Sequence, residues 1–154
     1  MLANQHTIAV AESVTSGHLQ AALSTAEDAS IFFQGGITAY NIHQKFTHLQ
    51  VDPTDAISCN CVSRQVSEEM AENVCSLFGS DWGIGITGYC APMPSNPYMK
   101  LYALYSIAFK GKTVMSDVLI AEGDDPFEIQ VAYTNMILRN CLTVLKEESL
   151  CYLL

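Results

Sequence analysis

The chain is poor in basic residues. Of its 154 residues, 7 are lysine or arginine and 16 are aspartate or glutamate, so the formal net charge is −9. Its arginines are Arg64 and Arg139 alone. Proteins bind a nucleic-acid backbone through several Lys or Arg contacts to phosphate, and anionic membranes attract basic patches. The composition therefore argues against nucleic acid and against a membrane surface as partners.

Long apolar runs and metal-binding spacings are also missing. No apolar run approaches the roughly 18 residues of a membrane-spanning helix. The first residues, MLANQHTIAV, have neither the basic start nor the apolar core of a signal peptide. We therefore expect a cytoplasmic protein with reduced thiols. Cys59 and Cys61 stand one residue closer than the pairs of zinc knuckles and redox motifs, so we expect no metal site.

The chain is instead rich in apolar residues. Hydrophobic residues make up 49% of it and charged residues 15%, as is typical of a globular protein with a large core. At this length we expect one domain covering residues 1–154. Apolar patterns predict strands at 7–11, 37–40, 82–87, 101–109 and 113–121. Helical patterns and caps predict helices near 18–26, 42–49, 64–78 and 126–146.

The order of these elements predicts an α/β fold. We expect three layers, α/β/α, around a mixed, mostly parallel five-stranded sheet. The late hairpin, which turns at Lys110-Gly111-Lys112, requires at least one antiparallel pair. In such folds ligands bind beyond the carboxyl ends of the parallel strands. The segment 12–17 and the loop after Thr87 are therefore expected at the functional site.

Segment 12–17 reads Glu-Ser-Val-Thr-Ser-Gly and joins the first strand to the first helix. Small hydroxylated residues at a helix N-terminus offer N–H groups and side-chain oxygens to an anion or a polar ligand. Simple capping of the helix is the alternative. The candidate substrate-binding residues from the two segments are Glu12, Ser13, Thr15, Gly17, Thr87 and Gly88.

A second candidate group lies in the segment ASIFFQGGITAYNIHQK, residues 29–45. Ser30 is a weak nucleophile by itself and needs a base. Lys45 has no acidic residue nearby in the sequence, and a lysine that loses its hydration can act as that base. Tyr40 could relay a proton between them. Two alternatives stay open: Lys45 is an ordinary surface lysine, or Ser30 pairs with His43.

Four stretches resemble one known family. AESVTSG, FFQGGITAYNIHQK, VSRQVSEEMAENV and GIGITGYCAP are similar, in this order, to motifs of the CinA C-terminal domain, the nicotinamide-nucleotide amidase family. The resemblance runs from about residue 7 to about residue 145.

The resemblance implies hydrolysis of the carboxamide of nicotinamide mononucleotide to the acid and ammonia. It implies catalysis by Ser30, Lys45 and Tyr40 without a metal or other cofactor. It also implies a small-molecule partner, a pyridine nucleotide or a related amide, and a homodimer.

The chain departs from the family pattern at positions where the family carries arginine. Gly35 replaces one such residue, and Gly123-Asp124-Asp125 stands where the family has Gly-Asp-Arg. The glycine-rich loop is shortened to APMPSNPYMK. Because phosphate is held best by cations and bidentate donors, these changes leave an alternative: a CinA-like domain that binds a ligand or partner but no longer catalyses.

Overall fold

The computed structural model describes the backbone of residues 1–151 and the side chains of residues 1–2 and 4–146. After a short 3-10 turn at Leu2–Asn4, the strands are β1 (Ile8–Glu12), β2 (Phe33–Thr38), β3 (Trp82–Gly88), β4 (Leu101–Phe109) and β5 (Lys112–Ala121). The helices are α1 (His18–Ser24), α2 (Ala29–Phe32), α3 (Ile42–Leu49), α4 (Pro53–Ser58), α5 (Arg64–Phe78) and α6 (Pro126–Cys151).

The strands form one sheet in the order β2-β1-β3-β4-β5. β1 pairs in parallel with β2 and β3, whereas β4 is antiparallel to both β3 and β5. Four of the five strands therefore run in the same direction, and the predicted mixed sheet is confirmed. Glu12, at the end of β1, stands in register with Thr38 of β2 and Ile86 of β3. The carboxyl ends of these three strands thus meet at one edge.

Helices cover both faces of the sheet. One apolar core includes Ile8 and Val10 of β1 together with Leu19 of α1 and Tyr133 of α6. The alternating residues of β1, Ala9 and Ala11, belong to a second core with residues of α3, α4 and α5. Because successive side chains of a strand point to opposite faces, the two cores lie on opposite sides of the sheet. This arrangement confirms the three-layer prediction.

Two glycines of β3 let α5 lie against the sheet. A Cβ atom on Gly83 would overlap the carbonyl oxygen of Ala71, and one on Gly85 would overlap that of Ser67. The close approach fixes α5 directly on β3 and explains the alternation of glycine with isoleucine there. Ser63 caps α5, since its Oγ accepts a hydrogen bond from Val66 N, and Gly79 ends the helix in the left-handed conformation.

The structure differs from the prediction in two short helices and one strand start. α2 is four residues long, too short for a periodic pattern, and α4 lies where a loop was expected although Asp52 caps it and Pro53 follows. β2 begins at Phe33 rather than 37, because Gly35 and Gly36 continue the strand instead of forming a flexible lead-in. Within the described residues, no helix combines the length and apolarity needed to cross a membrane.

Candidate active site

The turn after β1 is organised around one buried carboxyl group. Glu12 is fully buried, and its two carboxyl oxygens accept five hydrogen bonds. The donors are Thr15 Oγ1 (2.6 Å), the backbone N–H groups of Gly17 (3.0 Å), Leu19 (3.1 Å) and Gln20 (2.9 Å), and Gln20 Nε2 (3.1 Å). The Glu12 side chain therefore accepts the hydrogen bonds of the N–H groups at the N-terminus of α1. The capping alternative describes this turn, with Glu12 rather than a hydroxyl group as the main cap.

The anchored turn fixes Ser13 at the edge of the sheet. Ser13 N donates to Ile86 O of β3 (3.1 Å), and the side chain is 7% exposed. Gly17 adopts φ 105°, a conformation that favours glycine and lets the chain enter α1. The backbone of Ser13 is therefore fixed on one side by β3 and on the other by the turn around Glu12. This fixes the position of the Ser13 hydroxyl group.

The Lys45 side chain reaches the same hydroxyl from α3. Lys45 Nζ donates to Ser13 Oγ at 2.8 Å, to Ala39 O at 2.8 Å and to Tyr40 O at 3.3 Å. Lys45 is 1% exposed, which rules out the alternative that it is an ordinary surface lysine. Asn41 begins α3 by accepting a hydrogen bond from Gln44 N, and this start places Lys45 one turn further on, facing the sheet.

Burial changes the acid–base behaviour of this amine. It lowers the pKa of Lys45 to about 8, and negative charge on the nearby Cys61 would partly oppose this effect. Burial also raises the pKa of Cys61 itself. A lysine with such a pKa is partly neutral near pH 7 and can accept a proton. A buried amine within hydrogen-bond distance of a serine hydroxyl is the arrangement expected of a nucleophile and its base.

The pair opens onto a pocket of about 460 Å³. The lining residues come from four places on the chain: the turn after β1, the start of α3, the end of α4 with its loop, and the end of β3. They are Ser13, Val14, Tyr40, Asn41, Ile42, Lys45, Asn60, Cys61, Val62, Thr87, Gly88, Tyr89, Cys90 and Ala91. This volume lies within the usual range of small-molecule sites.

The structure does not bring Ser30 to Lys45. Ser30 is exposed on α2, before β2 begins, whereas Lys45 follows the end of β2. A six-residue strand spans roughly 20 Å, so the two residues lie at opposite edges of the sheet. The structure thus brings Ser13, rather than Ser30, to Lys45. The Ser30–His43 alternative fails for the same reason, because His43 also lies beyond β2.

The remaining predicted residues divide between the pocket and its support. Tyr40 lines the pocket with a 67% exposed side chain, and its carbonyl oxygen holds Lys45. Thr87 and Gly88 line the pocket too, and Thr87 Oγ1 donates to Cys61 O (2.6 Å). Glu12, Thr15 and Gly17 do not line it, since they bind one another beneath Ser13.

Several pocket residues were missed from the sequence. Cys61 was considered from the sequence only as a metal ligand, yet it is half-buried in the pocket wall. Asn60 donates to Tyr89 Oη (3.2 Å) and so joins the loop after α4 to the loop after β3. The signal for Ser13 was present: it directly follows a buried strand, and Tyr40 and Lys45 follow the next one, so the topology rule places them at the same edge.

The cysteines Cys59, Cys61, Cys75, Cys90 and Cys141 carry free thiols, and Cys151 lies outside the described side chains. Among the side chains that the structure describes, no group of three or more His, Cys, Asp or Glu residues is arranged to hold a metal ion.

Comparisons with known proteins agree on one family. Residues 1–145 match the model of the CinA C-terminal domain. A CinA-like protein of a Picosynechococcus species is 43% identical over 88 residues, which are 57% of this chain and 21% of that protein. The chain thus spans about a fifth of the length of this curated relative.

Solved structures show the same fold. A CinA superfamily protein of Escherichia coli has a TM-score of 0.81 at 27% identity and covers 93% of this chain and 83% of its own. A competence or damage-inducible protein of Enterobacter asburiae has a TM-score of 0.85 at 23% identity, with 94% and 90% covered.

Proposed function

Since the chain belongs to the CinA C-terminal domain family, we propose that it is an amidohydrolase that releases ammonia from a carboxamide. In this proposal Ser13 is the nucleophile and Lys45 is the general base and acid. The single observation that carries it is the buried 2.8 Å hydrogen bond between Lys45 Nζ and Ser13 Oγ at the wall of the pocket.

Acylation begins with Lys45 in its neutral form. Neutral Nζ takes the Ser13 hydroxyl proton while Oγ attacks the carbonyl carbon of the amide. The tetrahedral intermediate collapses, the C–N bond breaks, and Lys45 returns the proton to the departing ammonia. The acyl group remains on Ser13 as an ester.

Deacylation uses the same two residues. Lys45 takes a proton from a water molecule as its oxygen attacks the ester carbonyl. The bond between the acyl carbon and Ser13 Oγ then breaks, Oγ recovers the proton from Lys45, and the carboxylic acid leaves. The carbonyl oxygens of Ala39 and Tyr40 hold Nζ in place through both halves of the reaction.

The substrate in this proposal is a small aromatic amide, a pyridine nucleotide or a related amide, as the family resemblance implies. The exposed ring of Tyr40 and the ring of Tyr89 offer flat surfaces in the pocket, against which a pyridine ring can stack. We also propose that the chain forms a homodimer. Light scattering of the purified chain tests this.

Two serine variants test the assignment of the nucleophile. We expect Ser13→Ala to lower the rate of ammonia release from nicotinamide mononucleotide and nicotinamide riboside by roughly 10⁴-fold or more. Ser30→Ala, a matched change in an exposed serine, is expected to leave the rate unchanged. Equal losses in the two variants would refute the Ser13 assignment. Binding without ammonia release by the folded parent chain would instead favour the non-catalytic binding domain.

A further inference from the structure

The pocket offers almost no positive charge. Of its fourteen lining residues, all within the described part of the chain, Lys45 is the only lysine or arginine. Lys45 Nζ has three hydrogen-bond acceptors already, in Ser13, Ala39 and Tyr40, and its side chain is 1% exposed. An ammonium group has three N–H donors. Lys45 thus has no donor left for a phosphate group.

The N-terminus of α1, which follows the turn at Ser13, is also occupied. In α1 the N–H groups of Gly17, Leu19 and Gln20 donate to the Glu12 carboxyl group. At the start of α3 Asn41 accepts from one N–H group, that of Gln44, and at the start of α5 Ser63 accepts from one, that of Val66. Backbone N–H groups at helix starts are a common means of binding phosphate without a cation. At α1 the Glu12 carboxyl group already uses these N–H groups.

The first turns of α6 bring no lysine or arginine to the pocket wall. Gln130 Nε2 contacts Cys90 Sγ (3.8 Å), and Cys90 lines the pocket. Asp125 caps the same helix through a hydrogen bond from Phe127 N (2.8 Å), and Glu128 lies in its first turn. A phosphate at this edge would therefore meet no free cation from the lining.

The remaining lining suits an aromatic amide. Tyr40 and Tyr89 present rings, Val14, Ile42 and Val62 present apolar surface, and Asn41 presents an amide. From these observations we infer that the site takes an aromatic carboxamide that carries no phosphate group, and that the phosphorylated form is the poorer ligand. The inference rests on the proposed function, of which it names the substrate class.

Nicotinamide riboside and nicotinamide mononucleotide test the inference, because they differ only in the phosphate. We expect kcat/KM for ammonia release to favour the riboside by roughly tenfold or more, since desolvating an unpaired phosphate costs free energy. When the Ser13→Ala variant is titrated with the two amides, we expect a lower Kd for the riboside than for the mononucleotide. Equal values, or a preference for the mononucleotide, would overturn the inference.

A variant pair locates the cause of the preference. Ala91 is exposed at the pocket wall, so Ala91→Arg places a cation there. We expect it to shift the kcat/KM ratio toward the mononucleotide by about tenfold. Ala91→Gln, similar in length but uncharged, should leave the ratio unchanged. An equal shift in both variants would contradict the electrostatic explanation.

A serine-reactive fluorophosphonate separates this inference from the proposed function. If mass spectrometry finds the label on Ser13, but neither amide is bound or hydrolysed, the substrate class is wrong and the nucleophile stands. If Ser13 is not labelled while Ser13→Ala still binds the riboside more tightly, the substrate class stands and the proposed chemistry fails.

Discussion

The two edges of the parallel strands hold different kinds of polar cluster. At the amino-terminal edge, Thr7 N and Oγ1 donate to Asp81 Oδ2 (2.9 and 3.1 Å), and Asp81 N donates back to Thr7 Oγ1 (3.1 Å). The Thr7 N–H group lowers the pKa of Asp81 more than any other neighbour does. At the carboxyl edge, Lys45 and Ser13 meet at 2.8 Å beside a pocket.

The two clusters differ in the ionisation state that each one favours. Asp81 and Thr7 pair a carboxylate with donors that favour its charged form, which ties the start of β1 to the residue before β3 and stabilises the fold. Lys45 is a cation among neutral acceptors, where burial disfavours its charged form. The first arrangement stabilises the native ionisation state, and the second makes a proton acceptor. Polar clustering alone therefore does not identify an active site.

Changes at Lys45 should have the largest effect on the reaction. Lys45→Met keeps the length of the side chain but removes the base, and we expect kcat to fall by about 10³-fold. Lys45→Arg should not restore it, because the guanidinium group stays protonated. Ammonia release measures both variants, and circular dichroism checks that they fold. A Lys45→Arg variant with near-parental kcat would rule out a neutral amine as the base.

Glu12 and Asp81 form a matched pair of carboxyl groups, one at each edge. We expect Glu12→Gln to lower the free energy of unfolding by about 2–3 kcal/mol, because its amide group turns a donor toward N–H groups that need an acceptor. It should also lower kcat, since the turn that holds Ser13 loosens. Urea denaturation and ammonia release give the two quantities.

Asp81→Asn is the control for that variant. We expect a smaller loss of stability, about 1 kcal/mol, and an unchanged kcat. If Glu12→Gln lowers stability but leaves kcat at the parental value, Glu12 supports the fold and does not position Ser13.

The sequence was sufficient for the fold because local and global signals agree there. Short-range patterns predict the helix at 42–49, the cap at Ser63, the helix end at Gly79 and the hairpin turn that leads into β5. α2 escaped prediction because four residues are too few for helical periodicity to show. Periodicity also does not settle the environment of Phe127 at the start of α6, which is 62% exposed and contacts the His18 ring edge-on.

The site was predicted only in part because its partners are far apart along the chain. Tyr40 and Lys45 were found, but Ser30 was chosen as their partner since it lies closer in sequence than Ser13. The strand between Ser30 and Lys45 separates them, while the parallel pairing of β1 with β2 brings Ser13 to Lys45 across 32 residues. Nearness in sequence misleads wherever a strand intervenes.

The pH dependence of kcat/KM tests the carboxyl edge alone. If neutral Lys45 is the base, kcat/KM rises with pH by about tenfold per unit below pH 8, because the neutral fraction of an amine grows at that rate below its pKa. Above a pKa of about 8 the rate should become constant.

Cys61 gives a finer test of the same profile. Negative charge at this position raises the pKa of Lys45, but burial raises the pKa of the Cys61 thiol and keeps it neutral where Lys45 titrates. Cys61→Asp, which places a carboxylate there, should therefore move the midpoint to higher pH. Asp81→Asn, at the other edge, should not move it. Rate profiles from pH 6 to 10 measure all three proteins. A flat parental profile would show that Lys45 does not change its protonation state as the base of the reaction. An identical shift in the two variants would show that the midpoint reports global stability rather than the charge beside Lys45.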